Sequence, residues 1–221
     1  MSVSSSSRSS SSSPLVIGSA TVSLTVSGAV SLSSLASSCP LYFFGAADGI
    51  DLYFLNRPGF NRVASSAQVA AAFGPPPSGF TPLAAAVTRI LVEKASVIAE
   101  KKLLLVIATD GEPTNTSGQV DIPGFASVLM GRHANVFVSI IACTDDEDSV
   151  GYLNKFDRSI PRLDITDDFQ SERREIQRAQ GAAFRFSFGD YVVKSLLGSI
   201  DNYFDHLDEK PVGGGGCCIV A

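Results

Sequence analysis

The sequence is poor in the residues that build metal or disulfide frameworks. Its four cysteines are scattered: Cys39 and Cys143 stand alone in apolar contexts, while Cys217 and Cys218 are adjacent near the end. No CxxC pair or Cys/His cluster offers zinc its ligands, and this spacing is no disulfide scaffold. Cys39 and Cys143 therefore read as small buried thiols of a reducing compartment. No apolar run reaches the roughly 18 residues of a spanning helix. Lys and Arg number 17 against 22 acids, a net charge of -5. That balance argues against a general nucleic-acid or membrane-surface binder, since both need clustered cations. A G-x-S-x-G elbow and a P-loop are both missing, and there is no internal repeat. His133 and His206 are far apart, have no Ser or Cys nucleophile to serve, and read as surface residues.

What is present suits one folded domain with tails. The chain has 221 residues and is 45% apolar, enough to bury a sizeable core. Residues 2–13 are Ser apart from Val3 and Arg8, and no acid precedes Asp48. This composition partly resembles a Ser-rich transit peptide, but its single Arg favours a plain disordered tail over 1–13. Residues 14–210 form the expected domain, and 211–221 a flexible Gly-rich tail.

Within the domain, helix and strand patterns alternate. "LVIGSATVSLTVSGAVSLSS" supplies a weak first strand, and "IDLYFL" at 50–55 a stronger one bounded by turn residues. "SAQVAAAF" reads as a short helix that stops at Gly74. The next helix is expected to start with Thr81 as N-cap and Pro82 in the first position, and to run to about Lys101. Leu83, Val87, Ile90, Leu91, Val97 and Ile98 give it an apolar face. Leu103–Ala108, bounded by charge before and turn residues after, reads as a fully buried parallel strand. "FASVLMGRH" then predicts a helix, "NVFVSIIAC" a strand, "DEDSVGYLNKFDR" a helix, and "IPRLDITDDF" an edge strand. "SERREIQRAQ" is a polar helix or ordered loop, and "FGDYVVKSLLGSIDNYFDHLDE" a closing amphipathic helix. The alternation predicts an α/β fold with a mostly parallel sheet covered on both faces.

The buried strand ends on a carboxylate, Asp110, and turns at once through Gly111-Glu112-Pro113. In open α/β sheets that end of the strand is where ligands bind. A hydroxyl from Thr81 and a strand-end carboxylate from Asp110 supply part of the oxygen set that Mg²⁺ requires. "GFTPL" followed by "TDGEPT" is similar to the second and third metal-site motifs of the von Willebrand factor A (VWA) domain family, and the resemblance covers roughly residues 41–206. It implies a Rossmann-like, doubly wound sheet with a Mg²⁺ at its carboxyl edge, completed by an acidic group from a protein partner. It also implies a binding module, not an enzyme. The second half, from "SIIACTDDEDSVGYLNKFDR" to "FSFGDYVVKSLLGSID", resembles intracellular VWA-like proteins of microbial eukaryotes.

The family's first motif, Asp-x-Ser-x-Ser, has no counterpart. The nearest segment, "TVSGAV", sets Thr25 in the place of the Asp, Ser27 of the first Ser and Ala29 of the second. The first strand and helix region, 14–40, is thus read as degenerate or truncated. The loss removes a charge and two or three oxygens, so the metal site over Ser27, Thr81 and Asp110 is expected to be weak or absent. Thr109 and Thr114 are expected to support the loop rather than bind metal. The acids at 145–148 lack the EF-hand spacing and read as a solvated helix start.

Two alternatives are carried forward. In one, Asp110 serves phosphoryl-transfer or hydrolytic chemistry on a Rossmann-like sheet, with Glu112 two residues on but no companion Lys or Ser motif. In the other, the chain is a truncated, non-functional VWA product with exposed apolar strands. Cys218, Ile219, Val220 and Ala221 fit a prenylation pattern, and Cys217 offers a second, palmitoylated anchor. The expected address is the cytoplasm, with membrane association through that lipid. Mass spectrometry of protein from its native cells is expected to find an isoprenoid on Cys218 with the last three residues removed. An unmodified terminal Ala221 would refute the lipid tail.

Overall fold

The structure, a computed structural model, describes residues 21–26 (backbone), 49–76, 78–144 and 146–212. Ser27, Cys39, Cys217 and Cys218 lie outside the described residues, as do the predicted tail of residues 1–13 and residues 213–221 of the predicted tail 211–221. Among the described residues six strands form one sheet: β1 (Thr21–Val26), β2 (Ile50–Phe54), β3 (Phe60–Val63), β4 (Leu103–Thr109), β5 (Val136–Ala142) and β6 (Leu163–Thr166). Their order is β3-β2-β1-β4-β5-β6; β3 runs antiparallel to β2, and every other neighbouring pair is parallel. The helices are α1 (Ser66–Phe73), α2 (Leu83–Glu93), α3 (Ala95–Glu100), α4 (Ile122–Met130), α5 (Glu147–Val150), α6 (Leu153–Ser159), α7 (Phe169–Gln180), α8 (Phe188–Leu197) and α9 (Asn202–Asp205). The chain is therefore α/β, a mostly parallel sheet flanked by helices and compatible with a Rossmann-like fold.

Strand alternation sorts the core. Leu103, Leu105 and Ile107 of β4 and Val136, Val138 and Ile140 of β5 pack with Leu83, Val87 and Ile90 of α2, Phe125 and Leu129 of α4, and Phe156 of α6. On β2, Tyr53 joins this cluster, whereas Leu52 and Phe54 join Val63 and Ala72 in a separate one. Successive residues of a strand face opposite sides, so the two clusters lie on opposite faces of the sheet. All seven residues of β4 are buried, as expected of a central parallel strand.

Several elements are broken where the sequence suggested continuity. The helix predicted from Thr81 to about Lys101 begins at Leu83, with Pro82 in the cap position, and is interrupted at Lys94. Lys94 leaves helical geometry as its Nζ reaches Asp51 Oδ2 on β2 at 2.5 Å. The "DEDSVGYLNKFDR" helix is two helices, α5 ending at Gly151 and α6 beginning at Leu153. The closing helix likewise divides at Gly198 into α8 and α9. Helix α4 starts earlier than expected because Asp121 caps it, accepting from Gly124 N at 3.0 Å. It stops at Gly131, and Arg132 is then buried, donating to the carbonyls of Leu129, Val136, Pro161 and Arg162 to tie the starts of β5 and β6 together. Strand β3 was not anticipated: it is four residues long, three of them exposed, and so lacks an apolar signature.

The strongest electrostatic feature lies under α8. Lys194 is fully buried, with Nζ 3.1 Å from Glu172 of α7, 3.3 Å from Asp208 and 3.7 Å from Asp164 of β6. Burial opposes its charge, but the three carboxylates more than offset that and hold its pKa above the ordinary value. Three acids share one cation, so their own desolvation prevails. Asp164 is pushed up to about 7, by burial and by Asp208, despite Lys194, and Glu172 is raised for the same reasons. Gly198 leaves the room this arrangement needs, since a Cβ there would collide with the Asp164 carboxylate.

A carboxyl whose pKa is raised by folding binds more protons in the native state than in the unfolded one. Its contribution to stability is complete below the unfolded value, roughly 4, and is lost as pH rises through the folded value. For Asp164 the loss is therefore spread from about pH 4 to about pH 7 and a little beyond. Thermal unfolding is expected to show higher stability at pH 5 than at pH 8, by on the order of 2 kcal/mol from this group. Asp164→Asn is expected to flatten that slope, and an unchanged slope would show that the group titrates normally.

Candidate functional site at the carboxyl edge of the sheet

Strand order reverses between β1 and β4: the chain builds outward through β2 and β3 on one side, then through β5 and β6 on the other. Loops leaving adjacent strands at such a point diverge and open a crevice, the usual ligand position in open α/β sheets. The described segments at this point are the loops after β4 and β5 and the loop that enters α2.

The loop after β4 is internally braced. Thr109 Oγ1 donates to Gly111 O at 3.1 Å and accepts from Gly111 N at 3.4 Å, closing the turn around Asp110. Thr114 accepts from Thr81 N through Oγ1 at 3.0 Å, and its own N donates to Thr81 O at 2.8 Å. Thr114 also forms an isolated antiparallel bridge with Val120. Both threonines thus hold the loop in place, and the Thr114 pairing brings Thr81 to the Asp110 loop. Thr81 and Asp110 are each partly exposed at this edge. As a correction, Thr81 is not the N-cap of α2; it contributes through its backbone.

The next strand supplies Cys143, whose N donates to Thr109 O at 2.8 Å. Cys143 was expected in the core but is only half-buried, because it lies just past the end of β5. Burial, reinforced by Asp110 nearby, pushes its thiol up to about 11, so it is protonated and unreactive at neutral pH. Tyr152, between α5 and α6, donates to Gly111 O at 3.5 Å, and burial beside Glu112 raises its phenol well above the usual range. The hydroxyl thus stays protonated and faces the Asp110 turn.

As a metal site this arrangement is thin. Among the described residues no three His, Cys, Asp or Glu side chains converge as a metal-binding group. Asp110 is the only acid that the sequence nominated, and the nearby thiol is protonated and a poor match for Mg²⁺. Backbone register bears on the proposed stand-in for the missing acid. Thr25 lies opposite Ile107 and Tyr53, inside the strand and three residues short of the level of Asp110, or roughly 10 Å at a strand's rise. Its position is that of a ladder residue rather than a strand-end ligand. Ser27 lies outside the described residues.

The other nominated groups are at the surface. Asp146, exposed, caps α5 by accepting from Asp148 N and from the Ser149 hydroxyl, as expected of a solvated helix start. His133 is exposed, whereas His206 is half-buried between Asp205 and Glu209. Sequence reasoning missed Tyr152 and the Thr81–Thr114 pairing, neither of which has a local sequence signal. No family model matches the chain, and no curated protein matches it.

The Thr81–Thr114 link makes a direct prediction. Thr114→Val removes the acceptor for the Thr81 amide and is expected to cost about 1 kcal/mol, with faster hydrogen exchange at Thr81 and an intact fold by circular dichroism. Unchanged exchange would show that the two loops are held by other contacts.

Proposed function

We propose that the protein is a VWA-like interaction module, on a doubly wound sheet, that engages a protein partner at the carboxyl edge around Asp110. The observation that carries this reading is the joining of the Thr81 and Asp110 loops at the point where strand order reverses. In the VWA resemblance these are the second and third metal-site positions, and the reciprocal Thr81–Thr114 bonds bring their loops together. Any Mg²⁺ held here would use Asp110 and Thr81, with Ser27 as the further candidate, and would accept an acidic group from the partner. With one carboxylate and no Asp-x-Ser-x-Ser segment, this site is weak or incomplete. No enzymatic step is assigned: the thiol beside Asp110 is protonated, and the Tyr152 hydroxyl is committed to a backbone carbonyl. No helix among the described residues is long and apolar enough to cross a membrane.

Calorimetric titration with Mg²⁺ and Mn²⁺, with Asp110→Ala in parallel, is expected to show no Asp110-dependent binding at millimolar affinity or better. Binding that disappears in Asp110→Ala would mean that a full metal site exists.

A further inference from the structure

The edge that carries Asp110 also presents apolar surface. Phe80 is 56% exposed and Val120 55% exposed, although each adjoins a hydrogen-bonded frame. Phe80 directly precedes Thr81, and Val120 bridges Thr114, so the two side chains flank one hydrogen-bonded ladder. The Phe80 carbonyl accepts from Asn56 Nδ2 at 2.6 Å, across from the loop after β2. Its ring rests on Gly118, which adopts φ +83 and where any Cβ would collide with the ring. A phenyl group so fixed yet left in water has little conformational entropy to lose on binding, the property of an interface anchor.

Charge around this anchor is predominantly negative. Asp110, Glu112 and Asp121 lie on its loop, and Asp146, Glu147 and Asp148 follow β5. Residues 49–56, 63–88, 103–131 and 133–154, which include β2, β4, β5, the entry to α2 and the described loops after β4 and β5, contain no Lys or Arg. Arg57, on the loop after β2, is occupied: Nη1 donates to Pro75 O at 3.1 Å, and its guanidinium lies 3.8 Å over the Phe54 ring. Without a divalent cation such an edge repels acidic surfaces, anionic lipid and nucleic acid, and attracts cations.

We infer that the Phe80–Val120 surface docks a polypeptide segment in which an apolar side chain is flanked by Lys or Arg. The apolar side chain packs on Phe80 and Val120, and the cations face Asp110, Glu112 and Asp121. This rests on the interaction-module reading above and gives the partner's sign: basic, not acidic.

The test uses the full chain in EDTA and two short fluorescein-labelled peptides, one alternating Leu with Lys and one alternating Leu with Glu. Fluorescence anisotropy is expected to show binding of the Lys peptide alone, weakening as salt is raised. Phe80→Ser and Glu112→Lys, both at exposed or partly exposed positions, are each expected to weaken it about tenfold. Glu209→Lys, a matched charge change on an exposed residue beyond α9, is expected to leave it unchanged. Equal weakening by Glu209→Lys would reduce the effect to net charge and overturn the inference, as would the absence of binding. If instead the Glu peptide binds in Mg²⁺ and is lost in Asp110→Ala, the inference fails while the module reading survives. Binding of the Lys peptide that ignores both Phe80→Ser and Glu112→Lys would place an interaction elsewhere and overturn both.

Discussion

The position of one strand decides most of what this chain can do. β1 lies between β2 and β4, parallel to both, with Ser23 opposite Asp51 on one side and Leu105 on the other. Because β1 is central, the strands that follow it must add on one side and those from β4 onward on the other. The Asp110 turn leaves β4 at this reversal, the usual ligand position in open α/β sheets. The site is thus a consequence of topology before it is a consequence of any one side chain. What side chains add is rigidity: two threonines, Thr109 and Thr114, hold the turn and bind it to Thr81.

A second constraint sits away from that edge. Burying Lys194 among Asp164, Glu172 and Asp208 binds a strand, two helices and the C-terminal segment to one another. Removing one partner of such a group leaves charge stranded in a poor solvent, typically at a cost of about 3–5 kcal/mol, although the intact group contributes little net stability. Its effect is to specify arrangement. Apolar packing of Ile176, Phe186, Tyr191 and Leu207 would tolerate sliding, whereas one ammonium among three carboxylates does not. Gln180 extends the same fixation, donating to Leu207 O and Lys210 O and accepting from Val212 N. The course of the chain up to Val212 is therefore set by polar contacts to α7.

The sequence was legible where a single local force dominates. Uniform apolarity marked β4 and β5, and Gly74 ended α1 as turn chemistry predicts. It was illegible where tertiary contacts override local preference. Nothing in "RILVEKASV" announces a break, yet Lys94 leaves the helix for Asp51, a partner 43 residues earlier. Cys143 has the composition of a core residue and is only half-buried because β5 ends one residue before it. The Ser187–Asp190 capping box that starts α8 is a local signal of the kind a sequence carries. Of the candidate site, Asp110 stood out by contrast with the apolar run before it. The loop pairing that gives Thr81 its place is invisible without coordinates.

On the proposed VWA-like reading, the missing first motif alters the electrostatic meaning of the edge. In a complete site of this type, a divalent cation converts a set of acids into a surface that recruits another acid. Remove part of the ligand set and the acids that remain no longer hold the metal, but they keep their charge. Asp110, Glu112 and Asp121 then act on approaching molecules directly, and the preferred partner changes sign. Phe80 supplies what charge alone does not, a desolvated contact that turns long-range attraction into a defined register. A fold can therefore lose its metal chemistry without losing a binding surface, provided that an apolar anchor already stands beside the acids.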